Sequence, residues 1–99
     1  DITGFIKDYK IQSTLKTGKP ASLYVVVSNE NNEDKEYKLE LISDAFQFET
    51  NPITINMPAD SWEQREIIIT PISAGDKQIE LRYYANRTLL DAEVINLKI

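Results

Sequence analysis

The sequence predicts an all-β protein, an antiparallel sandwich of two sheets built from seven to eight short strands. Three observations predict it. Apolar residues recur at every second position in segment after segment, as in Tyr37, Leu39, Leu41 and in Ile79, Leu81, Tyr83. Clusters of turn-forming residues separate those segments at short intervals. No stretch of useful length carries a helical period.

The segment that organises the chain is Ala21 to Asn29, which follows the turn signal Thr17-Gly18-Lys19-Pro20. Ala21, Leu23, Val25 and Val27 form its core face, with Ser22, Tyr24, Val26 and Ser28 on the other. Before it, Asp1 to Gly18 reads as a loose first strand. Its apolar residues Phe5, Tyr9, Ile11 and Leu15 do not alternate cleanly, as expected of an edge strand that crosses or kinks between sheets. Glu30 to Asp34 is a polar loop. Lys35 to Ser43 alternates as a strand wetted on one side. Phe46 with Phe48, and Ile53 with Ile55 and Met57, repeat the period before the turn Pro58-Ala59-Asp60-Ser61.

Trp62 to Ile72 is read as a strand with Ile67 and Ile69 inward, its pairing ended by Pro71. After the turn Ser73-Ala74-Gly75-Asp76, Lys77 to Ala85 places Ile79, Leu81 and Tyr83 inward. Ala85-Asn86-Arg87-Thr88 closes a hairpin onto Leu89 to Ile99. In that last strand Leu90, Ala92 and Val94 read as inward, and the phase then shifts to Ile95, Leu97 and Ile99. Either a β-bulge or burial on both faces explains the shift.

Ninety-nine residues make one domain, with 41% hydrophobic and 27% charged residues, which places the chain among globular rather than disordered ones. The net charge of −5 and the scatter of the eleven basic residues argue against nucleic acid as a partner. The chain has no Cys and no His, which excludes the usual zinc sites and the Ser-His-Asp and Cys-His catalytic arrangements. Cysteine absence suits the cytosol or a cysteine-poor prokaryotic surface protein. No apolar run is long enough to span a membrane, so membrane attachment is expected only through an anchor outside this chain.

Four constellations are candidates for function. Glu30, Glu33 and Asp34, with Asn29, Asn31 and Asn32, supply calcium-type oxygens, but without EF-hand spacing or a glycine, so a solvated loop and no metal is the expectation. The carboxylate pairs Glu63 with Glu66 and Asp91 with Glu93 have no apolar context to raise a pKa, so the chain is not expected to be an enzyme or to use a cofactor. Asn86-Arg87-Thr88 is a glycosylation sequon in a turn, where Asn is equally explained by turn chemistry. Last, Trp62 is either an interface anchor or a cap on the core. The outward apolar residues Tyr24, Val26, Ile42, Ile68 and Tyr84 are either a partner surface or ordinary β-formers. The strand of Tyr24 is expected beside that of Ile68, and the strand of Ile42 beside that of Tyr84, giving each sheet an outward apolar pair.

The stretch Lys16 to Leu41, a glycine turn, an alternating strand ending in Asn, a polar loop and a second alternating strand, resembles prokaryotic immunoglobulin-like modules of the CARDB kind. Met57-Pro-Ala-Asp-Ser-Trp-Glu, Ile69-Thr-Pro and Ser73-Ala-Gly-Asp-Lys-Gln-Ile-Glu-Leu-Arg-Tyr-Tyr are similar to them also. The chain is likewise similar to the extracytoplasmic domain of some archaeal membrane proteins of unknown function. The resemblance implies an immunoglobulin-like fold, an extracellular or cell-surface location and a binding role, and it carries over no catalytic or ligand residues. The expected function is a non-catalytic interaction or spacer module that meets a protein partner through a sheet face or edge, with weak homo-oligomerisation as one form. The alternative is a cytoplasmic appendage domain of a trafficking or scaffold complex.

Overall fold

A computed structural model describes residues 1–11 and 14–99. Eight strands form: β1 (Ile6–Ile11), β2 (Ala21–Asn29), β3 (Lys35–Ile42), β4 (Phe46–Phe48), β5 (Ile53–Met57), β6 (Ser61–Pro71), β7 (Asp76–Ala85) and β8 (Thr88–Lys98). They make two four-stranded sheets, ordered β1-β2-β6-β4 and β5-β3-β7-β8. Every ladder is antiparallel. The fold class expected from the sequence is therefore the fold observed, an immunoglobulin-like antiparallel sandwich.

Alternation decides the core. Leu23, Val25, Val27, Leu39, Leu41, Ile67, Ile69, Ile79, Leu81 and Tyr83 are all buried between the sheets, as their period predicts. Tyr37 and Tyr83 stack within this core, with ring centroids 4.8 Å apart and their hydroxyls toward Asn29 and Ser28. The predicted turns hold as well. Gly18 and Gly75 adopt φ of 77° and 117°, which L side chains rarely adopt. Asn86 sits at φ 56° in the two-residue loop between Ala85 and Thr88, a conformation that Asn tolerates better than most residues.

The two edge strands nearest the chain ends differ from the expectation. In β1 the buried residue is Ile6, and Leu15 beyond the strand is buried too, whereas Phe5 and Tyr9 are exposed. A register shift between Ile6 and Asp8 accounts for the poor alternation. In β8 the irregularity lies near the hairpin, where Tyr83 pairs with Asp91 and Tyr84 with Leu89. Leu90 is thus the extra residue, and beyond it Asp91, Glu93 and Ile95 share the core-facing side. Ala92 and Val94 are exposed, contrary to the expectation, while Ile95 is buried. Inward carboxylates at a sheet edge discourage pairing with a further strand.

The molecule is long, 43 × 22 × 19 Å. At one pole Asn29 pairs with Ser61, and Ala85 turns into Thr88. Asp1 and Ile2 lie at this pole, beside Ala85, Asn86, Thr88 and Leu90. At the other pole Asp76 pairs with Lys98, and Gly75 and Ile99 exchange backbone hydrogen bonds of 2.8 and 2.9 Å. The two ends of the chain therefore leave from opposite poles.

A polar network fixes the first pole. Asn29 is fully buried. The two hydrogens of its Nδ2 are shared among the carbonyls of Glu33, Met57 and Pro58, all at 3.0 Å. Its Oδ1 accepts from the Asn31 N–H, the Asn31 Nδ2 and the Tyr37 hydroxyl. The single Tyr37 hydroxyl proton is shared between Asn29 Oδ1 at 3.1 Å and Thr3 O at 2.8 Å, and Tyr83 donates to Ser28 O at 3.1 Å. Gly4 passes so close that a Cβ there would stand 2.6 Å from Ser28 O and 2.7 Å from the Tyr37 ring. Only glycine admits the N-terminal segment to this position.

Candidate interaction surface

The outer face of the first sheet is built from the outward positions of β2 and β6. In register, Ser22 faces Ile68, Tyr24 faces Glu66, Val26 faces Gln64 and Ser28 faces Trp62. Tyr24 and Ile68 are thus diagonal neighbours on adjacent strands, within reach of one another's side chains. Tyr24, Val26 and Ile68 are half-buried. Polar contacts tie the face together: the Ser22 hydroxyl donates to Glu66 Oε2 at 2.6 Å and the Tyr24 hydroxyl to the same oxygen at 3.4 Å.

Trp62 dominates one end of this face. It is 63% exposed and does not cap the core. The Lys7 ammonium stands 4.8 Å from the Trp62 ring centroid and 5.5 Å from that of Phe5. Lys7 also pairs with Glu30 Oε2 at 3.2 Å, and the Ser28 hydroxyl donates to that oxygen at 2.7 Å. The Ser28 hydrogen bond and then Lys7 hold the Glu30 carboxyl below the usual carboxylate range. The result is an aromatic and charged cluster of Phe5, Lys7, Glu30 and Trp62. Lys7 carries no sequence signal for it, because the irregular β1 hides which of its residues face outward, and Phe5 and Glu30 lie just outside the strands, where alternation says nothing.

The outer face of the second sheet corrects an expectation. β3 and β7 are neighbours as predicted, but Ile42 stands opposite Glu80 and Tyr84 opposite Lys38. The two are at opposite ends of the ladder and form no pair. Between them lie Glu40 and Arg82, with Arg82 Nε 3.2 Å from Glu80 Oε2. The Tyr84 hydroxyl donates to Glu40 Oε1 at 3.4 Å. This face is a charged surface with Ile42 isolated at its margin. Asn86, in the exposed β7–β8 turn, belongs to neither face.

Among the described residues no three His, Cys, Asp or Glu side chains converge on a point. Burial pushes the Tyr83 phenol far above its usual range, which keeps it protonated. The side chains of Asn29 and Asn31 are committed to the hydrogen bonds of the pole and do not present a ligand set. Among the described residues no helix is long and apolar enough to cross a membrane.

No family model and no curated protein matches the chain. Solved structures match its fold. The CARDB domain of a Pyrococcus furiosus protein, solved in complex with di-metal ions, superposes with a TM-score of 0.69 at 13% identity, over 99% of this chain and 91% of that one. A putative β-galactosidase from Bacteroides fragilis gives 0.71 at 12% identity, over 97% of this chain but 17% of the enzyme. A Caenorhabditis elegans member of the MSP family gives 0.53 at 11% identity, over 86% and 87%. At these identities the likeness defines a fold. The chain has an immunoglobulin-like sandwich fold, similar to that of a CARDB domain.

Proposed function

We propose that the chain is a non-catalytic interaction and spacer module of a prokaryotic cell-surface or secreted protein, which meets a protein partner through the outer face of its first sheet. The observation that carries this reading is the Trp62 cluster. A tryptophan 63% exposed, flanked by Phe5 and Lys7 and continuous with Val26, Tyr24 and Ile68, has the composition of an interface hot spot. An ammonium already held over the ring needs little ordering on binding. The exit of the chain from opposite poles supports the spacer half of the reading, and the fold shared with a CARDB domain supports the surface location. Non-catalysis rests on the absence of His and Cys and on side chains engaged in structural hydrogen bonds.

The test uses the tryptophan itself, which is the only one in the chain. Wild type and Trp62→Ser are immobilised and exposed to an envelope fraction of the parent organism. Captured protein is expected on wild type and at least tenfold less on the variant, with circular dichroism of the two unchanged. Self-association through the same face would show in sedimentation as a dimer that Trp62→Ser abolishes. Equal capture and identical monomeric sedimentation of both chains sink the reading.

A further inference from the structure

We propose that this domain is built to bear tension along its long axis, between the pole where Asp1 lies and the pole where Ile99 lies. The proposal deepens the spacer half of the reading above and rests on it for its biological setting. β1 and β8 both run from the Asn29 pole to the Gly75 pole, since Ile6 pairs near Val27 and Ile11 near Leu23, while Thr88 pairs with Ala85 and Lys98 with Asp76. A pull on the N-terminal end draws β1 back along its own axis past β2. A pull on the C-terminal end draws β8 forward along its own axis past β7.

In antiparallel ladders the hydrogen bonds lie perpendicular to the strands. Sliding a strand along its axis therefore loads all bonds of a ladder together, whereas peeling it sideways breaks them one after another. Both terminal strands of this chain are loaded in the first way. β8 is held along its whole length, from Asp76–Lys98 to Ala85–Thr88. β1 is shorter and irregular, and it is reinforced where it enters. The Ser28 N–H donates to Phe5 O at 2.9 Å and the Glu30 N–H to Thr3 O at 3.1 Å. Asn31 grips Thr3 from both sides, accepting from its N–H at 2.9 Å and donating to its carbonyl at 2.7 Å. A cross-tie joins the two loaded strands, because the Ile6 N–H donates to Asp91 Oδ2 at 2.9 Å. The half-buried Asp91 of β8, which the apolar period does not explain, thereby has a use.

The shorter clamp yields first. Forced unfolding reads the barrier to the first rupture rather than the equilibrium stability, so the strength of the Thr3–Asn31 grip sets the force for pulling from end to end. It does not set the force for peeling β8 from β7, which lies outside that clamp.

Single-molecule force spectroscopy on the 99-residue chain tests this. One handle stays on the C-terminus. The other is attached to the N-terminus or, in a second chain, to Asp76→Cys, the only cysteine in a chain that has none. Asp76 is exposed and next to the C-terminus, so the second geometry peels the β7–β8 hairpin open. At one pulling speed the end-to-end rupture force is expected to be several-fold the peeling force. Asn31→Ala is expected to lower the end-to-end force and leave the peeling force unchanged. Equal forces in the two directions overturn the proposal, and so does an Asn31→Ala chain in which both forces fall in the same proportion. Failure of the partner-surface reading is separate, since it is judged by capture on wild type and Trp62→Ser and by neither force.

Discussion

The middle of this sandwich and its Asn29 pole are held by opposite means. In the middle, Leu23, Val25, Leu39, Ile79 and Leu81 meet across the sheets with no polar atom among their side chains. At the pole a fully buried Asn29 satisfies three carbonyls and three donors. The middle asks only for apolar side chains of suitable volume, and neighbours can adjust to one another there. The pole asks for one particular side chain, because a buried polar group left without partners costs more than the bond it lost. The comparison teaches where specificity lies: the centre supplies burial, while the pole fixes how the first five residues enter the fold.

The largest break of that comparison is Asn29→Asp. It exchanges a donor for a carboxylate facing the Met57, Pro58 and Glu33 carbonyls, with no cation beside it. The expected loss is about 4 kcal/mol or more, in the range kept for buried unpaired charge. The introduced carboxyl is held neutral in the folded state, so its folded pKa rises above its unfolded one. The folded chain then binds more protons, and the variant loses stability as pH rises from 4 to 7. Urea denaturation at several pH values checks this, and a loss below 1 kcal/mol at pH 7 would show that the pole is not a demanding site.

Leu81→Ala is the matching test of the centre. Leu81 is fully buried between Leu41 and the opposite sheet, and its truncation should cost roughly 2–5 kcal/mol with no dependence on pH. Chemical denaturation gives the value. A cost under 1 kcal/mol would mean that the sheets close over the gap, and that the centre is less tightly filled than its burial implies.

The same contrast explains what the sequence made legible. β2, β3 and β7 lie inside their sheets, covered on one face and wetted on the other, so alternation names their large apolar core residues, although Ser28, read as outward, is buried and Ala21, read as core, is half-buried. β1 and β8 are edge strands, and their extra residues at Lys7 and Leu90 break the period. Val94 therefore reads as core and is 47% exposed, while the buried Ile6 is passed over for Phe5. The polar pole was invisible for another reason. Asn29, Tyr37, Met57 and Thr3 are brought together by loops, and nothing in the residue at position 29 says that its amide is spent inside the fold rather than in a turn. The outward pairs depend on register. Tyr24 and Ile68 meet because β2 and β6 align as they do, and the register of β3 on β7 keeps Ile42 and Tyr84 apart.

The smallest expected effect lies where the pole meets the outer face. Glu30 receives the Ser28 hydroxyl and the Lys7 ammonium on one carboxylate oxygen, and these two contacts lower its pKa in the folded chain. The sign of the linkage follows. The unfolded carboxyl titrates near about pH 4.3, and the folded one lower. The stabilisation is complete above the unfolded value and disappears as pH falls through the folded value. Being solvated, the pair contributes little, so Glu30→Gln should lower the melting temperature only slightly at pH 7 and not at all at pH 2. Removing the carboxylate also frees Lys7 from its position over Trp62, so the emission of the single tryptophan should change in the variant at pH 7 and in wild type on acidification. A melting difference that stays constant from pH 7 down to pH 2, with emission unaltered in both cases, would mean that Glu30 does not hold Lys7 over the ring. The Trp62 cluster would then lose the preorganisation on which its role as a binding surface depends.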